Sequence, residues 1–293
     1  MHKAVAPLNS VQTRVRMKPH NILFDAIGSF LTDDGWAVGS NIALSTLTSL
    51  FPFLIFVTAL AGFFGSQPLA DEAAKLLLGV WPEVVATPIA SEIHDVLTAP
   101  ATGLLTFGAI LALYFSTSAV EALRTGLNRA YDTPELRPWW MLRLQSILYV
   151  ALGAFALLAL AFLVVLGPVI FKAALTFAPG LAKLSRYYTI SRLLVATVAL
   201  LVAQFAAHLW LPAAKPKIRD VWPGVAVSFV SSIGFGEAFG FYLSEFSANY
   251  VKTYAGLAYV MIALVFLYFV SAIFVFGGEL NAAIIRARVG RSR

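Results

Sequence analysis

The sequence has no cysteine. Disulfides, thiol catalysis and cysteine-based zinc sites are therefore excluded. Charge is scarce too. Only 12% of the 293 residues are Asp, Glu, Lys or Arg, against about 25% in an average soluble domain. The first twenty residues, MHKAVAPLNSVQTRVRMKPH, lack the apolar core and small-residue cleavage site of a secretory signal peptide. Histidine occurs four times, at His2, His20, His94 and His208, and never in a metal-ligand cluster. No glycine-rich phosphate loop is present, so ATP hydrolysis is not expected. No internal repeat stands out, and the inverted-repeat logic of many transporters finds no hold.

What is present is apolar. Hydrophobic residues make up 59% of the chain, and the mean hydropathy is +0.81. The stretch 256–285, GLAYVMIALVFLYFVSAIFVFGGELNAAII, carries no charge before Glu279. A helix needs about 20 such residues to cross a ~30 Å hydrocarbon core. Five more apolar stretches follow the same logic, and no polar block is long enough for a separate domain. The expectation is an all-α integral membrane protein, a six-helix bundle with spans at about 39–64, 102–122, 145–171, 191–211, 222–246 and 256–285. Basic tails at 1–20 and 286–293 flank a single membrane domain over 21–285. Residues 22–32, ILFDAIGSFLT, repeat apolar positions at helical spacing and suit a short interfacial helix ended by Asp33, Asp34 and Gly35. Residues 66–100, divided by Pro68, Pro82, Pro88 and Pro100, suit an external loop of short amphipathic helices.

Lys and Arg are unevenly placed. On one side of a six-span chain lie Lys3, Arg14, Arg16, Lys18, Arg124, Arg129, Arg137, Arg143, Lys215, Lys217, Arg219, Arg286, Arg288, Arg291 and Arg293. The other side has only Lys75, Lys172, Lys183, Arg186, Arg192 and Lys252. This bias puts both termini in the cytoplasm. It also accounts for the net charge of +6 without a nucleic-acid partner.

Polar residues inside the spans are the candidate site. Asn41, Ser45, Thr48 and Pro52 share one face of the first span, and Pro52 frees a backbone carbonyl. Glu121, Arg124 and Asn128 line one face at the exit of the second. Gln204 and His208 sit four apart on the fourth, where a metal pair would need two histidines. Glu237 lies deep in the fifth span beside a Gly236-x-x-x-Gly240 close-packing pattern, and Glu279 and Asn281 end the sixth. An ionisable residue inside a span marks a pathway or a buried pair. One reading is a polar cavity open to the cytoplasm, with Glu237 beyond its floor. The other is ordinary interhelical hydrogen bonding, with local Glu121–Arg124 and Glu279–Arg286 pairs at helix ends.

Four stretches carry a resemblance. Ser49-Leu50-Phe51-Pro52 resembles the S-L-F-P signature of the YihY/virulence factor BrkB family. Ala122-Leu123 through Leu127-Asn128 to Tyr131 is similar to its A-L-x-x-x-L-N-x-x-Y, Tyr250 to Gly256 to its Y-x-x-x-Y-G turn, and Gly277 to Ala282 to its closing G-x-E-L-N-A. The chain departs in having Leu44-Ser45 where an aromatic pair is frequent, and Ala255 before the turn glycine. The resemblance implies a multi-pass bacterial inner-membrane protein concerned with envelope biogenesis, transport or serum resistance. Some members bear a ribonuclease BN label, which the scattered histidines here do not suit. The expected function is transport or flipping of a lipid or other amphiphilic envelope component. The alternative is a non-transporting scaffold that binds envelope-biogenesis proteins through the 66–100 loop. Membrane lipids are the expected partners, with no cofactor and no enzymatic activity.

Overall fold

The computed structural model describes residues 22–63, 76, 105–177, 185–254 and 257–291. The N-terminal tail, nearly all of the expected external loop and its His94, and the turn residues Ala255 and Gly256 lie outside these. Seven long helices follow in order: α1 (Ile22–Thr32), α2 (Gly35–Phe63), α3 (Leu105–Ala130), α4 (Trp139–Phe177), α5 (Ser185–Trp210), α6 (Ile218–Tyr254) and α7 (Leu257–Arg291). No strand occurs among the described residues. Four helices contain segments long and apolar enough to cross a membrane: Gly35–Val57, Trp139–Phe162, Ile218–Glu245 and Ala258–Val289. Thr197–Trp210 of α5 is apolar but shorter over its described part.

Local chemistry sets the helix ends. Asp34 takes a left-handed conformation (φ 51°), which lets the chain turn from α1 straight into α2. At the end of α3, Asp132 is left-handed as well (φ 48°). Its N–H reaches Arg129 O at 3.0 Å, and Thr133 N–H reaches Asn128 O at 2.9 Å. This is a Schellman cap with aspartate in place of the usual glycine, and Pro134 follows to forbid further helix. Pro138 precedes α4, whose first turn bonds back to the Pro138 carbonyl. α4 and α6 are longer than the expected spans by turns at both ends. Helical backbone has no reason to stop at the hydrocarbon edge when no breaker stands there.

Helix α7 is the centre of the bundle, packed against α1, α2, α3 and α6. Phe30, Ile42, Ala122, Ala272 and Val275 form a core shared by α1, α2, α3 and α7. Ala26 of α1 packs on Leu280 and Ala283 of α7. Val57 of α2 packs with Ala154, Leu158 and Ala161 of α4. The outward faces are apolar: Leu144, Leu148, Leu152 and Phe155 of α4 are exposed, as are Val230, Ile233 and Phe241 of α6. So many apolar side chains in water would be unusual, whereas lipid is their natural solvent.

At Gly236 the G-x-x-x-G pattern does not mark a close helix approach. A methyl group built on Gly236 would meet nothing within 4 Å. Phe235 and Phe239 flank it and stack on α7 rings instead, holding the backbones apart. The tight crossing of α6 and α7 is at Gly224 and Gly277. A methyl on Gly277 would stand 2.8 Å from Gly224 O, and one on Gly224 would overlap Gly277 O and the Asn281 side chain. Gly224→Ala is therefore expected to destabilise the protein by about 1–3 kcal/mol. Gly234→Ala, where the added methyl has open space, should be neutral or stabilising by up to about 1 kcal/mol. Thermal unfolding of both variants in detergent checks this; equal melting temperatures would contradict it.

Candidate functional site

The candidate site is a buried polar cluster at the end of the bundle that carries the arginines. It is built on the α6–α7 crossing. Gly277 and Gly224 let the two backbones touch, and the Asn281 Oδ1 accepts the Gly224 N–H at 2.7 Å. Pro223 precedes this point. It has no N–H for the Arg219 carbonyl, four residues back, and Arg288 Nη1 donates to that carbonyl at 3.3 Å. On the same face of α6, Ser228 accepts from Gln204 Nε2 of α5 at 2.6 Å. Gly278 brings α7 against Leu127 and Ala130 of α3, with His208 of α5 alongside. Four helices thus meet around the Gly277–Asn281 segment.

Several polar atoms in this cluster have no partner. His208 and Asn281 are fully buried and Glu279 is 1% exposed. Both ring nitrogens of His208 and Glu279 Oε2 lack a hydrogen bond, and Tyr131 Oη and Asn281 Nδ2 have none of good geometry although these two side chains interact with each other. His208 packs instead against the Phe274 ring, 4.5 Å between centroids. Tyr131 lies beside the Asn281 amide and also lines an open cavity of about 430 Å³ with Lys215, Lys217, Asp220, Ala282 and Arg286. It is the partition between that cavity and the cluster. Each buried orphan costs roughly 1–3 kcal/mol, so their concentration in one place calls for a reason beyond packing.

Around the cluster a second group of polar residues is well satisfied. Asn128 Nδ2 donates to Glu135 Oε2 at 2.9 Å, and its Oδ1 accepts the Ala213 N–H at 2.7 Å. Arg137 donates twice to Glu135, to Gln145 Oε1 at 3.1 Å and to Leu211 O at 3.0 Å. Gln145 Nε2 donates to Trp210 O at 3.0 Å. The carbonyls left bare at the end of α5 are thereby capped by side chains from the 131–138 linker and α4, while Asn128 of α3 takes an N–H just beyond that end. Hydrogen bonds from the Arg137 guanidinium, with a further one from Asn128, hold the Glu135 carboxyl down at about 2.

The expected local ion pairs do not form. Glu121 pairs with Arg143 of α4, whose guanidinium also covers the Tyr114 ring at 3.5 Å. Arg124, 4% exposed, donates to Ser146 Oγ at 2.6 Å. Arg286 reaches Asp25 Oδ2 of α1 at 2.9 Å rather than Glu279. In each case a partner on another helix displaces the neighbour in sequence. The polar face of α2 turns away from the cluster. Asn41 and Thr48 are exposed beside Leu44 and Phe51. Thr48 donates back to Leu44 O at 2.9 Å, and the half-buried Ser45 lends its own carbonyl to Ser49 at 2.6 Å. Pro52 stays within an unbroken α2. Glu237 is exposed on the outward face of α6. The structure thus joins Gln204, His208, Glu279 and Asn281, puts Asn128 in the clamp around them, holds Glu121 and Arg124 against α4, and leaves Asn41, Ser45, Thr48, Pro52 and Glu237 apart. Tyr131, Arg143, Gly224 and Ser228 were not singled out by sequence. Tyr131 stood in the quoted Leu127–Tyr131 stretch, and Gly224 followed a mid-helix proline.

A family model described as virulence factor BrkB matches residues 26–293. The chain is similar to a putative ribonuclease-like protein YfkH of Bacillus subtilis (strain 168), 29% identical over 263 residues, covering 89% of this chain and 94% of that protein. No solved structure matches.

The satisfied clamp carries a pH signature. Glu135 has a folded pKa of about 2, below its ordinary value of 4.5. Its contribution to stability is complete above pH 4.5 and is lost as pH falls through 2. The loss should amount to roughly 2–3 kcal/mol. Chemical denaturation in detergent from pH 6 to pH 2 should show this slope in the wild type and a shallower one in Glu135→Gln; parallel curves would contradict it.

Proposed function

The chain belongs to the virulence factor BrkB family, and on that footing we propose that it carries a lipid or other amphiphilic envelope component across the bacterial cytoplasmic (inner) membrane. In this reading α2 to α7 are six spans and α1 lies along the interface, with Leu23, Phe24, Ile27 and Leu31 exposed to lipid. The arginine-bearing end faces the cytoplasm. The observation that carries the reading is the set of unpartnered polar atoms at His208, Glu279, Asn281 and Tyr131. Polar and ionisable groups held inside a bilayer mark substrate or ion paths. Here they sit behind one aromatic side chain, Tyr131, which also walls a cavity open at the basic end. A polar headgroup entering that cavity would pass Tyr131 to reach acceptors and donors that have no other use. Glu237 does not belong to this route. The ribonuclease-like label belongs to the Bacillus subtilis relative. Among the described residues here, no three histidines or carboxylates gather as a metal-ligand set, and no hydrolytic role is proposed.

The test is transfer of a fluorescent phosphatidylglycerol between leaflets of proteoliposomes, read by dithionite bleaching of the outer leaflet. Glu279→Gln keeps volume and replaces a buried carboxyl group by a neutral amide, so folding should survive. Its transfer rate should fall about tenfold or more, a barrier change near 1.4 kcal/mol. Glu237→Gln should stay within about twofold of wild type. Loss in Glu237→Gln with full activity in Glu279→Gln would move the route to the outer face of α6.

A further inference from the structure

A second cavity, of about 410 Å³, lies between α3 and α4 at the basic end, and its wall includes Glu121, Arg124, Glu135, Trp139, Leu142 and Arg143. Its ion pairs leave the Arg124 guanidinium out. Glu121 is taken by Arg143, and Glu135 by Arg137 at 2.6 Å. Among the described residues Arg124 makes no direct ion pair, and the charges of Glu121 and Glu135 act on it only at longer range. Its one protein acceptor is the Ser146 hydroxyl, and its Nη1 is unpartnered although the residue is only 4% exposed. Arg143 Nε is buried and unpartnered as well. The cavity wall thus holds two guanidiniums and two carboxylates, with a buried N–H group of each guanidinium unused. Buried guanidinium N–H groups left without an acceptor are costly, and an oxyanion entering the cavity would satisfy them.

The surroundings say which anion. Trp139 and Trp140, at the start of α4, are 78% and 54% exposed, the placement of indoles at a membrane–water interface. Beyond them Leu148, Leu152 and Phe155 continue along α4 as exposed apolar side chains. The cavity is therefore at headgroup depth, apolar on the Trp139–Leu142 side and cationic on the Arg124–Arg143 side. Guanidiniums match the geometry of phosphate oxygens, and basic pockets between spans hold anionic headgroups. We propose that this cavity binds the phosphate of an anionic phospholipid headgroup, with Arg124 and Arg143 as donors and Trp139 and Leu142 against its glycerol end. The proposal requires only that α4 lie in a bilayer and does not depend on transport.

The experiment is native mass spectrometry of the full chain in detergent, with equimolar phosphatidylglycerol and phosphatidylcholine of identical acyl chains. Wild type should retain phosphatidylglycerol about tenfold over phosphatidylcholine. Arg124→Gln should abolish the preference. Glu121→Gln, which frees Arg143 from its carboxylate, should raise phosphatidylglycerol retention, and this variant keeps the site even where Arg124→Gln fails to fold. Equal retention of the two lipids by wild type, an unchanged preference in folded Arg124→Gln, or no gain in Glu121→Gln would each overturn the proposal. Displacement of the lipid by millimolar inorganic phosphate would assign the cavity to a soluble oxyanion and overturn it too.

Discussion

The hydrogen bond from the Gly224 N–H to Asn281 holds the bundle's polar end together. In a bilayer no water stands ready to satisfy a displaced polar group, so a buried amide must find its acceptor inside the protein. Asn281 can reach the α6 backbone only because Gly224 and Gly277 have no side chains. The same contact sets the depth at which α6 and α7 cross. Gly278, one residue on, then admits α3 and α5 on the other side of α7. Two glycines and one amide in the Gly277–Asn281 stretch, with Gly224 opposite them on α6, thereby fix the meeting point of four helices.

Two neighbouring polar groups at this end are treated in opposite ways. The Asn128–Glu135–Arg137–Gln145 clamp satisfies nearly every donor and acceptor, and it closes the ends of α3 and α5 rigidly. The His208–Glu279–Asn281–Tyr131 cluster leaves at least one atom of each residue unpartnered. Stability alone would favour apolar replacements in the second group and leave the first as it is. The contrast separates a structural device from a set of groups whose use lies outside the resting fold. Arg124, with a buried N–H group unpartnered, belongs to the second kind.

Element type was legible in the sequence wherever apolar run length was the signal, although α4 and α6 run past the expected span ends. Residues 22–32 form α1, stopped by Asp33 and Asp34 as the residues suggest. The last stretch forms α7, with Glu279 and Asn281 toward one end. Helix rotation was not legible. A membrane helix is apolar nearly all round, so its sequence pattern does not say which face meets a neighbour. That is why Asn41 and Thr48 could be read as a cavity wall although they face outward, and why Glu237 looked central. Partner choice was illegible for a related reason. Glu121 and Arg124 are three apart and could pair, but the start of α4 brings Arg143 and Ser146 closer in space. The glycine pattern misled at Gly236, because aromatic neighbours can hold helices apart as effectively as glycines let them touch.

The central claim is that the buried cluster is reached by water and substrate from the basic end. The absence of cysteine makes a direct test clean. Single Ser228→Cys and Gln204→Cys variants would be exposed, in sealed vesicles of known orientation, to a membrane-impermeant thiol reagent. The account predicts labelling of both from the cytoplasmic side, slower than at an exposed control such as Lys217→Cys, and none from the other side. Complete protection of both positions in folded protein from both sides would show a sealed interior, and the cluster would then be packing alone.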